Sequence, residues 1–252
     1  MELKGKTVLV TGASSGIGQV IAVSCAKKGA RVVIGYRKNK AGAEQTLTEV
    51  QKYSKGHIIQ ADLTQEEHVK KMFAAIASEV GPIDVLVNNA GEAHVGNVDD
   101  FFDNTIWRNQ FENIFFSALF ASQQFLKQNA DAPLRKIMNI STVYGNPGSG
   151  KATAFAYSTA KAALSSMTAT LAKINPRVLV NAIAPGYTWT PAWEGISDEE
   201  KKQYEERTII GRYCTPEEIA HMAIAALEND AVTGQVITID GGLFLKHPLS
   251  GL

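Results

Sequence analysis

The 252-residue chain has only two cysteines, Cys25 and Cys214, far apart in sequence. That excludes a disulfide scaffold and fits a reducing compartment, with Cys25, on the apolar side of a helical pattern, expected as a buried free thiol. No apolar run approaches the length of a membrane span, and the opening MELKGKTVLV lacks the apolar core of a signal peptide. A soluble, cytoplasmic protein with no membrane partner is expected. Like charges form no block or stripe, and 25 basic residues balance 25 acidic ones, so no nucleic-acid partner is expected either. The histidines at 57, 68, 94, 221 and 247 show no metal-ligand spacing with one another or with the cysteines, and no metal is expected. No Gly-x-Ser-x-Gly segment is present, which removes one common nucleophile turn. No Pro/Ser-rich linker or internal repeat divides the chain, so a single domain over residues 1–252 is expected.

What is present is regular alternation. With 45% hydrophobic residues the chain can bury a large core. Apolar β-rich runs near 6–11, 31–36, 57–61, 83–87, 135–141, 177–184 and 235–240 predict strands. Helical patterns fall near 16–28, 40–54, 65–79, 104–129, 155–173 and 216–228. Strands separated by helical crossovers argue for an α/β fold, a doubly wound Rossmann-type domain with a seven-stranded parallel sheet and helices on both faces. Thr64 followed by Glu67 reads as a capping box, and Thr215-Pro216-Glu217-Glu218 as an N-cap with proline at the first helical position. The stretch 187–215 is long and irregular, which predicts a lid, with some helix around Asp198–Arg207.

Two motifs carry chemistry. In TGASSGIG, Thr11–Gly18 follows an apolar strand and opens a helix. Gly12 permits a tight turn, Gly16 a close backbone approach to a pyrophosphate, and Gly18 close packing, with the anion on free N–H groups at the helix start. The spacing, Gly-x-x-x-Gly-x-Gly, matches the general dinucleotide fingerprint only loosely. Far downstream, Tyr157 and Lys161 lie one helical turn apart in AFAYSTAKAAL and leave the same helix face. An ammonium beside a phenol favours the phenolate and lowers a pKa that starts at about 10. The pair is then a proton donor and acceptor usable near neutrality.

Taken together, TGASSGIG, Asp62-Leu63, Asn88–Gly91 (NNAG), Asn113, Asn139–Val143 (NISTV), Tyr157–Lys161 (YSTAK), Asn181–Gly186 (NAIAPG) and Thr233–Gly242 resemble the short-chain dehydrogenase/reductase family over nearly the whole chain. In layout the likeness is to 3-oxoacyl-[acyl-carrier-protein] reductase-like members. The resemblance implies that Tyr157 is the general acid/base and that Lys161 holds the nicotinamide ribose and keeps the phenol acidic. It implies that Asn113 holds a water linked to Lys161. Gly12, Ser14, Ser15, Gly16, Ile17 and Gly18 would take the cofactor phosphates. Asp62 and Leu63 would also bind the cofactor, Asn89, Ala90 and Gly91 would line its adenosine-ribose side, and Pro185, Gly186 and Thr188 would meet the nicotinamide amide. Where the family commonly has a second serine to hold the substrate oxygen, this chain has Thr142. Threonine offers the same donor and acceptor with an extra methyl, and Ser141 is the fallback register.

The residue closing the second strand decides the cofactor. An acid there would bond a ribose 2′-OH, whereas here Tyr36 is followed by Arg37 and Lys38, and a guanidinium suits a 2′-phosphate. NADP(H) is expected, with a small-molecule carbonyl or alcohol as partner. The substrate could be a 3-oxoacyl thioester or another ketone, sugar or cyclic compound. The rim His94, Tyr144, Phe155, Tyr187, Trp189 and Trp193 favours an apolar or mixed ketone. Apolar residues on 104–129 and small ones on 155–173 suggest helix pairing between copies, and the family likeness implies a homotetramer with the tail 243–252 near a neighbour. Two rival functions stand. GNPGSGKAT at Gly145–Thr153 nearly spells a P-loop, although Ala152 lacks the hydroxyl Mg²⁺ requires. A catalytically silent NADP sensor is the other.

Overall fold

In the computed structural model, which describes residues 1–128 and 134–245, seven strands form one parallel sheet. They are β1 (Thr7–Val10), β2 (Arg31–Tyr36), β3 (Gly56–Gln60), β4 (Val85–Asn88), β5 (Arg135–Ile140), β6 (Val178–Pro185) and β7 (Val236–Ile239). Their spatial order is β3-β2-β1-β4-β5-β6-β7. The direction of winding therefore reverses between β1 and β4, and a crevice opens beyond their carboxyl ends.

The helices are α1 (Gly16–Lys27), α2 (Lys40–Gln51), α3 (Glu66–Glu79), α4 (Asn104–Phe111), α5 (Ser117–Lys127), α6 (Phe155–Leu171), α7 (Asp198–Glu205) and α8 (Pro216–Glu228). Side chains alternate across the strands and build two cores. Val8, Val10, Val32 and Ile34 pack with residues of α1 and α8 on one face. Leu9, Val33, Leu86 and Ile137 pack with residues of α3, α5 and α6 on the other. Burial on both faces explains why these strands read as continuous apolar runs. Cys25 is fully buried, and burial raises its thiol pKa to about 12. No helix is long and apolar enough to cross a membrane among the described residues.

Two local expectations are corrected. The single helix predicted over 104–129 is interrupted by a π-helical turn, Glu112–Phe116, and α5 ends at Lys127; residue 129 lies outside the described residues, as does most of the tail 243–252. The capping box at Thr64 does not form, because the Asp62 carboxylate two residues earlier takes both the Thr64 N–H (3.1 Å) and its hydroxyl (2.8 Å). The chain makes an Asx turn there and α3 starts after Gln65. The boxes at Ser197–Glu200 and Thr215–Glu218 do form, with Pro216 opening α8.

Candidate active site

The Gly-rich turn is held from β4. The buried Thr11 hydroxyl donates to the Val87 carbonyl and accepts the N–H groups of Asn89 (3.0 Å) and Ala90 (3.1 Å). Asn89 returns its amide to the carbonyls of Thr11 and Gly12, each at 3.0 Å. That geometry explains the glycines. Gly12 has φ +62°, and a Cβ there would stand 2.8 Å from Ala90 Cα. A Cβ on Gly18 would run into the Asn89 amide. Asn89 is thus a strut for the turn as well as part of the cleft wall.

Ser15 caps α1 without a side-chain hydrogen bond, so no side chain claims the first N–H groups of the helix. A Cβ on Gly16 would meet nothing nearer than Thr190, at 3.5 Å. Open space before an uncapped helix start fits the pyrophosphate of a dinucleotide. Beside it lies a cavity of about 290 Å³ whose lining includes Gly12, Ser14, Asp62, Leu63, Ala90 and Gly91. Ser15, Ile17 and Gly18 do not line this cavity; they form the turn and helix start next to it. Arg37, at the end of β2, reaches over the cavity and donates to Asn113 Oδ1 at 2.9 Å. Burial would raise the Asp62 carboxyl, but the Thr64 hydrogen bonds and the charges of Arg37 and His68 hold it below the ordinary range.

At the other end, Lys161 is buried and donates to the Ile140 carbonyl at 2.6 Å. Its Nζ lies 5.9 Å from the centroid of the Tyr157 ring. Desolvation pushes the ammonium down to about 8. Desolvation also pushes the Tyr157 phenol up to about 12, against a smaller downward pull from its hydrogen bond with Thr142. A lysine-lowered phenol is not seen in this geometry: burial raises the phenol, and the ammonium is turned to the main chain.

Ser141 and Thr142 part company. The Ser141 hydroxyl donates to the Lys161 carbonyl (3.2 Å) and pairs with Ser165 (2.7 Å), so it ties β5 to α6. Thr142 starts the 3-10 turn Val143–Gly145; its hydroxyl donates to the Pro185 carbonyl at 3.3 Å and hydrogen-bonds the Tyr157 phenol. Asn113 lies in the π turn, where its main-chain carbonyl accepts from Ser117 at 2.7 Å. That carbonyl and Lys161 Nζ both come within 4 Å of where a Cβ on Gly91 would stand. A π turn widens the helix at one point and is frequent at functional sites.

Pro185 ends β6, and Gly186 packs so tightly that a Cβ would meet Asp240 Cα at 2.7 Å. Thr188 is buried, with its hydroxyl donating to the Gly186 carbonyl at 3.2 Å. Thr190, which the sequence reading passed over, is the threonine facing the Gly-rich turn. The run PGYTWT holds both threonines, and spacing does not tell which one turns inward.

The expected aromatic rim divides. Tyr144 donates to the Tyr187 hydroxyl at 2.6 Å, and Tyr187 packs edge-on to Trp193 and Tyr204. Trp189 stacks edge-on to Tyr213. Phe155 belongs to a separate cluster with Phe101 and Trp107, and His94 pairs with Asp100 at 3.1 Å. The near-P-loop lacks its expected geometry. A 3-10 turn, Ala152–Ala154, intervenes before α6, and Lys151 extends over the Tyr204 ring. No group of three or more His, Cys, Asp or Glu side chains is placed to hold a metal ion among the described residues.

Comparison with known proteins agrees with this layout. A family model described as enoyl-(acyl carrier protein) reductase matches residues 12–244. The 3-oxoacyl-[acyl-carrier-protein] reductase FabG of Aquifex aeolicus is 36% identical over 256 residues, covering 97% of this chain and 99% of that protein. Among solved structures, the F189W actinorhodin polyketide ketoreductase with NADPH superposes with a TM-score of 0.87 at 30% identity, covering 95% of this chain and 97% of the other. The Pseudomonas aeruginosa RhlG/NADP active-site complex superposes with a TM-score of 0.88 at 31% identity, over 96% and 97% of the two chains.

Proposed function

The chain belongs to the short-chain dehydrogenase/reductase family, and we propose that it is an NADP(H)-dependent oxidoreductase acting on a carbonyl or alcohol. The observation that carries this reading is the convergence of the Tyr157 phenol, the Thr142 hydroxyl and the Lys161 ammonium beyond β5 and β6. NADP(H), when bound, supplies or accepts the hydride.

The chain's own residues do the rest. Thr142 holds the substrate oxygen. Tyr157, kept protonated by burial, gives its proton to the oxygen as negative charge develops there; in oxidation it takes that proton back. Lys161 stabilises the phenolate left behind, and the Asn113 carbonyl, which with Lys161 Nζ lies beside Gly91, accepts from the water through which the proton returns. Ser14, Ser15, Gly16, Ile17 and the N-terminus of α1 receive the pyrophosphate, with Thr190 closing over Gly16. Asp62, Leu63, Ala90 and Gly91 hold the adenosine, and Arg37, freed from Asn113, meets the 2′-phosphate. Pro185, Gly186 and Thr188 frame the nicotinamide site. The segment 187–215 acts as the lid.

The substrate is a ketone with a largely apolar body, and 3-oxoacyl thioesters fall in that class. The likeness to FabG and to a polyketide ketoreductase supports it. Phe116 on the π turn is exposed, and with the small-residue face of α6 it supports a homotetramer; light scattering tests that. The decisive assay follows NADPH absorbance against a carbonyl panel of thioesters, cyclic ketones, sugars and quinones, with NADH in parallel. No oxidation of NADPH by any carbonyl would defeat the reading.

A further inference from the structure

Two cations converge on one ring at the mouth of the cleft. Lys151 Nζ stands 5.6 Å from the centroid of the Tyr204 ring, and Arg207 Cζ stands 5.4 Å from the same centroid. They come from opposite walls: Lys151 from the Gly-rich loop after β5, Arg207 from the end of α7. Among the described residues neither lies within 4.0 Å of a carboxylate. Three of the acids on this side have other partners. Glu200 caps Ser197, Glu206 faces Lys202, and Glu218 takes Arg212.

Both groups are cations resting on one neutral ring, and an anionic oxygen group within reach of both would gain from each charge. The ring face offers only a weak attraction to each. Hydroxyls extend the site inward. Arg207 donates to Tyr187 Oη at 3.4 Å, Tyr144 donates to the same oxygen at 2.6 Å, and the Tyr144 N–H reaches Thr142 Oγ1 at 3.4 Å. A polar track thus runs from the cation pair to the proposed oxygen-holding residue, between apolar rings.

The geometry points to an anion-recognition subsite formed by Lys151 and Arg207, which selects a ketone carrying one anionic oxygen group at the end remote from its carbonyl. This rests on the reductase reading of the cleft. A guanidinium fork and an ammonium point charge suit a carboxylate or a phosphate ester equally. The group is either a free carboxylate or the phosphate of a pantetheine-type thioester.

The test uses two matched pairs of probes with NADPH: 9-oxodecanoate against its methyl ester, and S-(3-oxooctanoyl)-pantetheine 4′-phosphate against the same thioester of pantetheine. The charged member of one pair is expected to have a kcat/KM about tenfold or more higher, expressed in KM and shrinking as salt screens the charges. Which pair responds identifies the source of the anion. In Lys151→Met/Arg207→Met the charged-to-neutral ratio falls towards one. Equal kcat/KM for both members of both pairs in the parent protein, or a ratio that survives the double substitution, overturns the subsite while leaving the reductase reading intact. Quenching of tryptophan fluorescence by the four probes, read on the NADP⁺-saturated protein and compared with the double variant, reports binding without turnover. Anion-selective quenching with no reduction of any probe upholds the subsite and defeats the reductase reading. The salt dependence of the parent protein needs no variant, so a misfolded double mutant does not remove the test.

Discussion

Lys161 gives its ammonium to the main-chain carbonyl of Ile140 at 2.6 Å, although it lies one helical turn from Tyr157 and 5.9 Å from that ring's centroid. The lysine is thereby anchored to the end of β5, and the phenol keeps its proton. This arrangement stores an acid ready to act on a carbonyl oxygen, and it sets the first predictions.

Tyr157→Phe removes the proton donor and keeps the ring. Turnover is expected to fall by about 10²–10⁴. NADPH binding, followed by its fluorescence, stays near the parent value. A variant that reduces ketones at the parent rate would remove Tyr157 from the chemistry.

Stability should follow pH through Lys161 and Tyr157 in opposite senses. Lys161, lowered from 10.5 to about 8, binds fewer protons folded than unfolded between those values, so stability rises with pH across that window. Tyr157, raised from 10.0 to about 12, binds more protons folded, so its contribution is lost as pH climbs through that range. Denaturant unfolding at pH 7 and at pH 9.5 should show a gain on the order of 1–3 kcal/mol at the higher pH. Lys161→Met should lack that gain. A profile that is flat in both proteins contradicts the burial argument.

The two hydroxyls after β5 should separate by readout. Thr142→Ala is expected to lower kcat about 10²-fold or more, with Thr142→Ser recovering most of it. Ser141→Ala removes the bonds to Lys161 and Ser165 and should cost about 1–2 kcal/mol of stability, with a smaller effect on turnover. The reverse pattern would transfer the role to Ser141.

Gly18→Ala drives a methyl into the Asn89 amide, which is tied to both Thr11 and Gly12. The expected loss is about 1–3 kcal/mol, seen as a lower Tm, together with a weaker NADPH Kd because the turn shifts. Asn89→Ala with Gly18→Ala should lose less than the sum of the single changes.

Arg37→Ala should raise KM for NADPH about tenfold or more and leave KM for NADH nearly unchanged, because only the former carries a 2′-phosphate. Equal effects on both cofactors would mean that Arg37 serves the cleft wall or its Asn113 contact instead.

Local signals were enough to order the elements. The strands read as uninterrupted apolar runs because each is covered on both faces, and the Thr215 box and Pro216 announce α8 within four residues. Glycine in the Gly-rich turn and the Tyr157–Lys161 spacing were equally plain, since a positive φ and one helical turn are properties of short segments. Asn89 as a strut was not legible, because its partners are 77 and 78 residues away.

The amino-acid sequence by itself thus determined the α/β architecture, the location of the Gly-rich turn and the identity of the candidate acid/base pair. Only the tertiary structure decided that Lys161 faces Ile140, that Thr142 and not Ser141 touches the phenol, that Thr190 faces Gly16, and that a π turn holds Asn113. The reason is physical: spacing along a helix or turn is a property of neighbours in the chain. A pKa, a hydrogen-bond partner or a helix defect depends on how much water distant segments remove and which carbonyls they present.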